Sequence, residues 1–366
     1  MRPMAMPAQR AAPAWCWPPA ARELNPDKGT IQSLYDKELN CELVDSSSPW
    51  ELGAFIYEKL GNRDQLAQYR LDDYNRTGLS ECRIIDSSNG PIYQRILLQG
   101  KSPGTDEAFG VNLEIKLYHD TKRIELEYAI KRLPETDPSG IYVAFPFQLP
   151  EGKLAFDVQG GTVISGKNQL EGTSTDWNTV QNFVSVQNNQ AQIIIGSSLI
   201  PLYQLGDINL GKFQYQKQYE RPHVYSWVMN NHWHTNFPTT QEGPVTFRYR
   251  MYPHSKFDIV DSNRFGLEQA QPLVHVVAGK DPKLSPVLAI DNERVYATVL
   301  KSTARDNEMI VRLRSVSDKE ETLTLTYPAR QPSKVRICNL EEIPGEEMRG
   351  AFAIRPYGQM TLKIEF

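Results

Sequence analysis

Between residues 109 and 130 the chain alternates apolar and polar side chains almost one for one. Phe109, Val111, Leu113, Ile115 and Leu117 are spaced by Gly110, Asn112, Glu114 and Lys116, and Ile124, Leu126, Tyr128 and Ile130 repeat the pattern. A period of two places one set on one face of an extended strand, whereas a helix would scatter it around its circumference. His119-Asp120-Thr121-Lys122 between the runs is turn chemistry, so an antiparallel hairpin with one wet face is predicted. Similar runs stand at 142–149, 192–199 and 245–251. In the last, Val245, Phe247, Tyr249 and Met251 face away from Thr246, Arg248 and Arg250. The pattern resumes at 310–316, 323–327, 335–338 and 360–366. Many short strands joined by turns predict an all-β chain built of sandwiches rather than a parallel α/β sheet.

The remaining segments punctuate this pattern. A strand is expected at 30–35. A short helix is expected over 50–60, from Leu52, Phe55, Ile56 and Leu60 with Gly61-Asn62 as its stop. The Asn/Gln-rich tract 181–192 reads as a turn between strands, and 256–271 as a connection. The domain organisation is therefore a leader of disordered or foreign sequence at 1–24, a large sandwich at 25–258, a connection at 259–271 and a smaller sandwich at 272–366.

Composition removes several classes of function. Hydrophobic residues make up 40% and charged residues 23%, enough apolar material for a core. The net charge is -4 with no long basic run, so nucleic acid is not an expected partner. No apolar run approaches the roughly 18 residues of a membrane span, so no membrane is expected either. Residues 1–21 are rich in Pro, Ala and Arg and lack the apolar core of a secretion signal. The location stays open, with the cytoplasm favoured. The four cysteines, Cys16, Cys41, Cys82 and Cys338, are scattered without a C-x-x-C, which argues against a zinc ribbon. Free buried thiols are expected; a Cys41–Cys82 disulfide is left open by the spacing.

Four groupings have chemistry to offer. His232 and His234, two apart, would share one face if extended and are weak candidates for a metal, since a site needs a third ligand. Glu220 with His223 would make a carboxylate base and a histidine acid for opening a sugar ring. Glu171 and Asp176 flank Gly-Thr-Ser-Thr and would need to approach each other to form the carboxylate pair of a glycosidase. The fourth grouping is the expected carbohydrate-contacting set: Asp176, Trp177, Asn231, Trp233 and Asn236. Indole faces stack on the apolar faces of sugars, and the short polar side chains beside them bind hydroxyls. Trp227 lies in a strand-like run and is expected in the core.

Four segments, in order, carry a resemblance. They are Gly29-Thr-Ile-Gln-Ser-Leu-Tyr-Asp-Lys-Glu-Leu-Asn40; Asp176-Trp-Asn-Thr-Val-Gln-Asn-Phe183 followed by Pro201-Leu-Tyr-Gln-Leu-Gly206; Trp227-Val-Met-Asn-Asn-His-Trp-His-Thr-Asn-Phe237 running into Gln241-Glu-Gly-Pro-Val-Thr-Phe247; and Arg355-Pro-Tyr-Gly-Gln-Met-Thr-Leu-Lys363. Together they resemble the C-terminal region of glycoside hydrolase family 38, the α-mannosidase family, which usually has an acidic residue where Gly358-Gln359 stands. The resemblance implies a supersandwich like that of the galactose mutarotases, then a smaller β-sandwich, with a glycan or mannoside as ligand. It also implies that the aspartate nucleophile and two zinc ligands belong to an N-terminal α/β barrel domain. A further zinc-binding histidine would lie in a His-His-Asp segment ahead of the β-region. His119-Asp120 lies in the hairpin turn and is no counterpart, so no catalytic or zinc residue carries over. Zinc is expected only in the catalytic domain, which would be a separate polypeptide or missing from the gene product, as in a fragment or a split gene. The expected function is a carbohydrate-interacting region without turnover of its own. The alternatives are a free-standing carbohydrate-binding protein and a mutarotase-like epimerase acting through Glu220 and His223.

Overall fold

The computed structural model describes residues 24–212, 219–255, 257–275, 277 and 285–366. Of the expected leader, all but Leu24 lies outside the described residues, as does Cys16. The described residues form two compact units that divide between Phe257 and Asp258, with Gln159–Gly161 grouped with the second.

The first unit is two antiparallel sheets over one core. The nine-stranded sheet runs, in spatial order, Gly161–Ile164, Lys153–Val158, Val184–Gln187, Gln192–Gly196, Gly243–His254, Ile124–Arg132, Val111–Tyr118, Tyr93–Lys101 and Ser80–Asn89. The six-stranded sheet runs Asn178–Thr179, Leu202–Leu205, Val224–Asn230, Ser139–Phe145, Phe55–Leu60 and Tyr74–Thr77. The predicted hairpin is present, with Leu117 opposite Ile124 and Leu113 opposite Tyr128. Its apolar face, with Phe247, Tyr249 and Met251, meets Phe55, Ile141, Val143, Phe145 and Tyr203 of the other sheet. Burying each such side chain contributes about 1.5–3 kcal/mol. The polar face is laced by cross-strand ion pairs, Arg95–Glu114 at 2.6 Å, Arg250–Glu125 at 2.8 Å and Arg248–Glu127.

Gly110 precedes the hairpin at φ 67, and a Cβ there would stand 2.7 Å from the Gly100 carbonyl oxygen. Both the left-handed backbone and a contact with main chain oppose a side chain. Gly110→Ala is therefore expected to cost about 2 kcal/mol, read as a lowered denaturation midpoint. A midpoint equal to that of the parent chain would show that the turn relaxes freely.

Several local expectations change in the folded chain. The 30–35 run breaks into two short strands, Thr30–Ile31 and Tyr35–Asp36. Residues 50–60 form no helix; Phe55–Leu60 is a strand near one side of the six-stranded sheet, covered on both faces. A short run buried on both sides has no alternation, and its spacing imitates a helix. The 181–192 tract is more than a turn: Val184–Gln187 is a buried strand, and only the following residues turn, with Asn188 Oδ1 accepting from the Gln190 and Ala191 amides at 2.9 Å. The 256–271 connection contains the helix Ile259–Ala270, capped by Asp258, whose carboxylate accepts from the Val260 amide at 2.7 Å. Cys41 and Cys82 are free thiols, and burial pushes Cys82 up to about 11.

The second unit has its own five-stranded sheet: Val295–Ser302, Glu308–Ser315, Gln359–Glu365, Lys334–Cys338 and Pro344–Glu347. Two short strand pairs accompany it, and Val311, Leu313, Leu323, Ile354, Leu362 and Ile364 form a separate core. The helix belongs to this unit, where Tyr296 donates to the Val260 carbonyl at 2.8 Å.

Candidate carbohydrate-contacting site

The outer face of the six-stranded sheet holds a polar cluster under an aromatic cover. Alternation along Phe55–Leu60 sends Phe55 and Tyr57 into the inter-sheet core and Ile56, Glu58 and Leu60 outward. Glu58 is fully buried. Its cross-strand neighbour Arg76 donates to its carboxylate at 2.6 Å, and Tyr142 donates to the other carboxylate oxygen at 3.1 Å. His232 Nε2 lies 3.4 Å from that second oxygen, also fully buried. The opposite register position is Gly140, where a Cβ would come within 3.1 Å of the imidazole, so the missing side chain makes room for the ring.

Over this cluster lie the tryptophans. Trp227 stacks on Tyr142 with ring centroids 6.0 Å apart and planes 3° from parallel. Trp177 and Trp233 are 5.5 Å from each other and 5.7 and 6.0 Å from Trp227, at steep angles. Trp227 is buried, as expected, whereas Trp177 and Trp233 are partly exposed. Arg63 ties down the loop that carries Trp233, donating to the carbonyls of Thr136, Asn231 and His232 and contacting the His234 ring at 2.8 Å. Trp227 Nε1 and both ring nitrogens of His232 are buried and make no hydrogen bond among the described residues. Native interiors rarely leave such groups unpaired.

Burial, with Arg63 and Arg76 adding to it, pushes His232 down to about 3. Arg76 neutralises Glu58, so the nearby carboxylate does little to recover the imidazolium. An unfolded histidine titrates near 6.5, so between those values only the unfolded chain takes up the proton. This contribution to stability is present above about 6.5 and is lost as pH falls toward 3, about 2 kcal/mol between pH 7 and pH 5. Urea unfolding at the two pH values should show the loss in the parent chain and a smaller one in His232→Gln. Equal pH dependence in both proteins would assign it to other groups.

The other sequence candidates fall apart spatially. Asp176 is buried and Asn236 exposed on the loop after Trp233. Asn231 braces that loop: Oδ1 accepts from the Ser139 amide at 2.7 Å, and Nδ2 donates to the carbonyls of Glu135, Asp137 and Thr239. His232 and His234 do not share a strand face, because the segment is irregular; His232 turns inward and His234 outward. His223 pairs with Asp45 at 3.0 Å rather than with Glu220, which is exposed. Burial lowers His223 despite the Asp45 carboxylate. Glu171 is exposed while Asp176 is buried. His232 and His234 gain no third ligand: among the described residues no three His, Cys, Asp or Glu side chains converge. Glu58, Arg76 and Tyr142 escaped the sequence reading, although a Glu inside an apolar run was a visible signal.

The first unit is thus a two-layer antiparallel β-sandwich whose outer sheet face holds aromatic rings over buried charge. The sequence matches the Glycosyl hydrolases family 38 C-terminal domain over residues 22–213, more than half of the chain, and the protein belongs to that family. Among solved structures it is similar to a glycosyl hydrolase family 38 protein from Enterococcus faecalis, with TM-score 0.67 and 14% identity over 93% of this chain and 42% of that one. It is also similar to an alpha-mannosidase from Enterococcus faecalis V583, with TM-score 0.67, 14% identity, and 93% and 40% coverage. The chain thus spans about two fifths of the length of these relatives. Among curated proteins none matches it. At such identity the likeness establishes the fold, a C-terminal β-sandwich region, and no catalytic barrel stands among the described residues.

Proposed function

We propose that this chain is the carbohydrate-facing β-region of an α-mannosidase-like glycoside hydrolase, acting with a catalytic domain that holds zinc and the nucleophile. The observation that carries the reading is the pair of partly exposed rings, Trp177 and Trp233, set at an angle over Trp227 beside unpaired polar atoms. Angled indoles offer a sugar both a stacking face and a wall. The ligand on this reading is a glycan or mannoside. Hydrolysis of a chromogenic α-mannoside by the purified chain, with added zinc and with a chelator as control, is expected to show no turnover. Zinc-dependent turnover by the chain alone would overturn the division of labour.

The same rings support a second reading, a free-standing carbohydrate-binding protein. Calorimetry with mannose oligosaccharides separates the two, since this one demands affinity from the chain by itself. Where binding is measured, Trp233→Ala or Trp177→Ala is expected to weaken it by about 1 kcal/mol, roughly fivefold. Unchanged affinity in both variants would remove the rings from the site.

A further inference from the structure

We propose that a cavity of the first unit binds a small organic carboxylate through Arg132. The cavity, about 250 Å³, lies where the ends of strands Ile124–Arg132, Ser139–Phe145 and Val224–Asn230 meet the loop 231–242. A water molecule takes about 30 Å³, so there is room for a ring-sized molecule. Its lining includes Arg132, Ser139, Met229, Phe237 and Thr239.

Arg132 is only 8% exposed. NH1 donates to the Gly104 carbonyl at 2.8 Å and NH2 to Ser139 Oγ at 3.0 Å, and the guanidinium lies 5.4 Å from the Tyr57 ring centroid. Ser139 can accept because its own proton goes to Asn231 Oδ1 at 3.2 Å. These contacts hold the fork in place with neutral groups. Among the described residues no carboxylate is ion-paired with it. The one carboxylate on the cavity wall, Glu135, is held elsewhere, by Lys59 at 2.7 Å and by the Asp137 amide at 2.9 Å.

A buried charge without a counter-charge is costly, so a cavity beside one favours an anion. The planar fork matches a carboxylate through two parallel hydrogen bonds. A phosphate, with close to two negative charges, calls for more cationic donors than the single guanidinium here. The lining also includes Met229, Ile141, Pro238 and Phe237, the last 44% exposed, which suits a carbon-rich body attached to the acid group. This site stands on the other side of the sheet from the tryptophans, since Ile141 and Met229 pack against the inter-sheet core, and its ligand does not depend on the reading given to them.

The test is calorimetric titration of the full chain with sodium glucuronate and with sodium benzoate at constant ionic strength, against glucose and inorganic phosphate. Saturable binding of either carboxylate is expected, and the two arms tell whether the body is a sugar or an aromatic ring. Arg132→Gln should weaken it roughly tenfold or more, because the charge and the paired donors are lost together. Phe237→Ala, at an exposed position that the fold does not need, should weaken it less and keeps the test open if the Arg132 variant fails to fold. No saturable binding of either carboxylate, equal binding of glucose or phosphate, unchanged affinity in a folded Arg132→Gln, or unchanged affinity in Phe237→Ala would overturn the proposal.

Discussion

Glu58→Ala is expected to destabilise the protein by about 3–5 kcal/mol, the usual cost of removing one partner of a buried ion pair. Arg76, 14% exposed, would keep its charge with no counter-ion, and the buried Tyr142 hydroxyl would lose its acceptor. At the size of the first unit this corresponds to a melting temperature lower by on the order of 10 °C. Glu58→Gln keeps the volume and an acceptor for Tyr142 but leaves Arg76 unneutralised, so an intermediate loss is expected. Glu127→Ala is the control. Its partner Arg248 is exposed, and breaking that pair should cost at most about 1 kcal/mol. If Glu58→Ala and Glu127→Ala shift the melting temperature alike, the buried cluster contributes no more than a surface pair.

Tyr128→Ala should cost a similar about 3–5 kcal/mol, by a different route. The ring is fully buried between the sheets, stacks on Phe247 at 5.1 Å and meets Tyr249 edge-on at 6.2 Å. Its neighbours come from three strands locked by sheet hydrogen bonds, so the space left behind closes poorly. The hydroxyl donates to the Gly53 carbonyl at 2.6 Å. Tyr128→Phe leaves that buried acceptor unpaired and keeps the packing, for a loss of about 1–2 kcal/mol. Chemical denaturation of the pair of variants apportions the two effects. A Tyr128→Ala loss no larger than that of Tyr128→Phe would mean that the core repacks around the gap.

The grouping of the two outer indoles is legible in the sequence only in part. Trp177 and Trp233 stand out as indoles with polar neighbours, and the fold brings them 5.5 Å apart although they lie on different loops. Asn231 was chosen on the same chemistry, yet its amide is spent on four backbone groups that hold the loop. A side chain's type states what it can bond, and only its surroundings state what it does bond. Glu58 is hidden in the sequence because the apolar spacing of its strand imitates a helix, which hides the face on which Arg76, Tyr142 and His232 gather.

By itself the sequence determined the all-β class, the hairpin at Val111–Tyr118 and Ile124–Arg132, the wet and dry faces of Gly243–His254 and Gln359–Glu365, and, through ordered motifs, the family. Alternation records the solvent on one side of a strand, so it survives in any one strand read alone. Tertiary structure alone decided that Phe55–Leu60 is a strand, the pairing of His223 with Asp45, the Glu58 cluster and the burial of Arg132 beside a cavity. Those depend on sheet register and on where loops return, which join residues far apart in the chain and leave no period within any one segment.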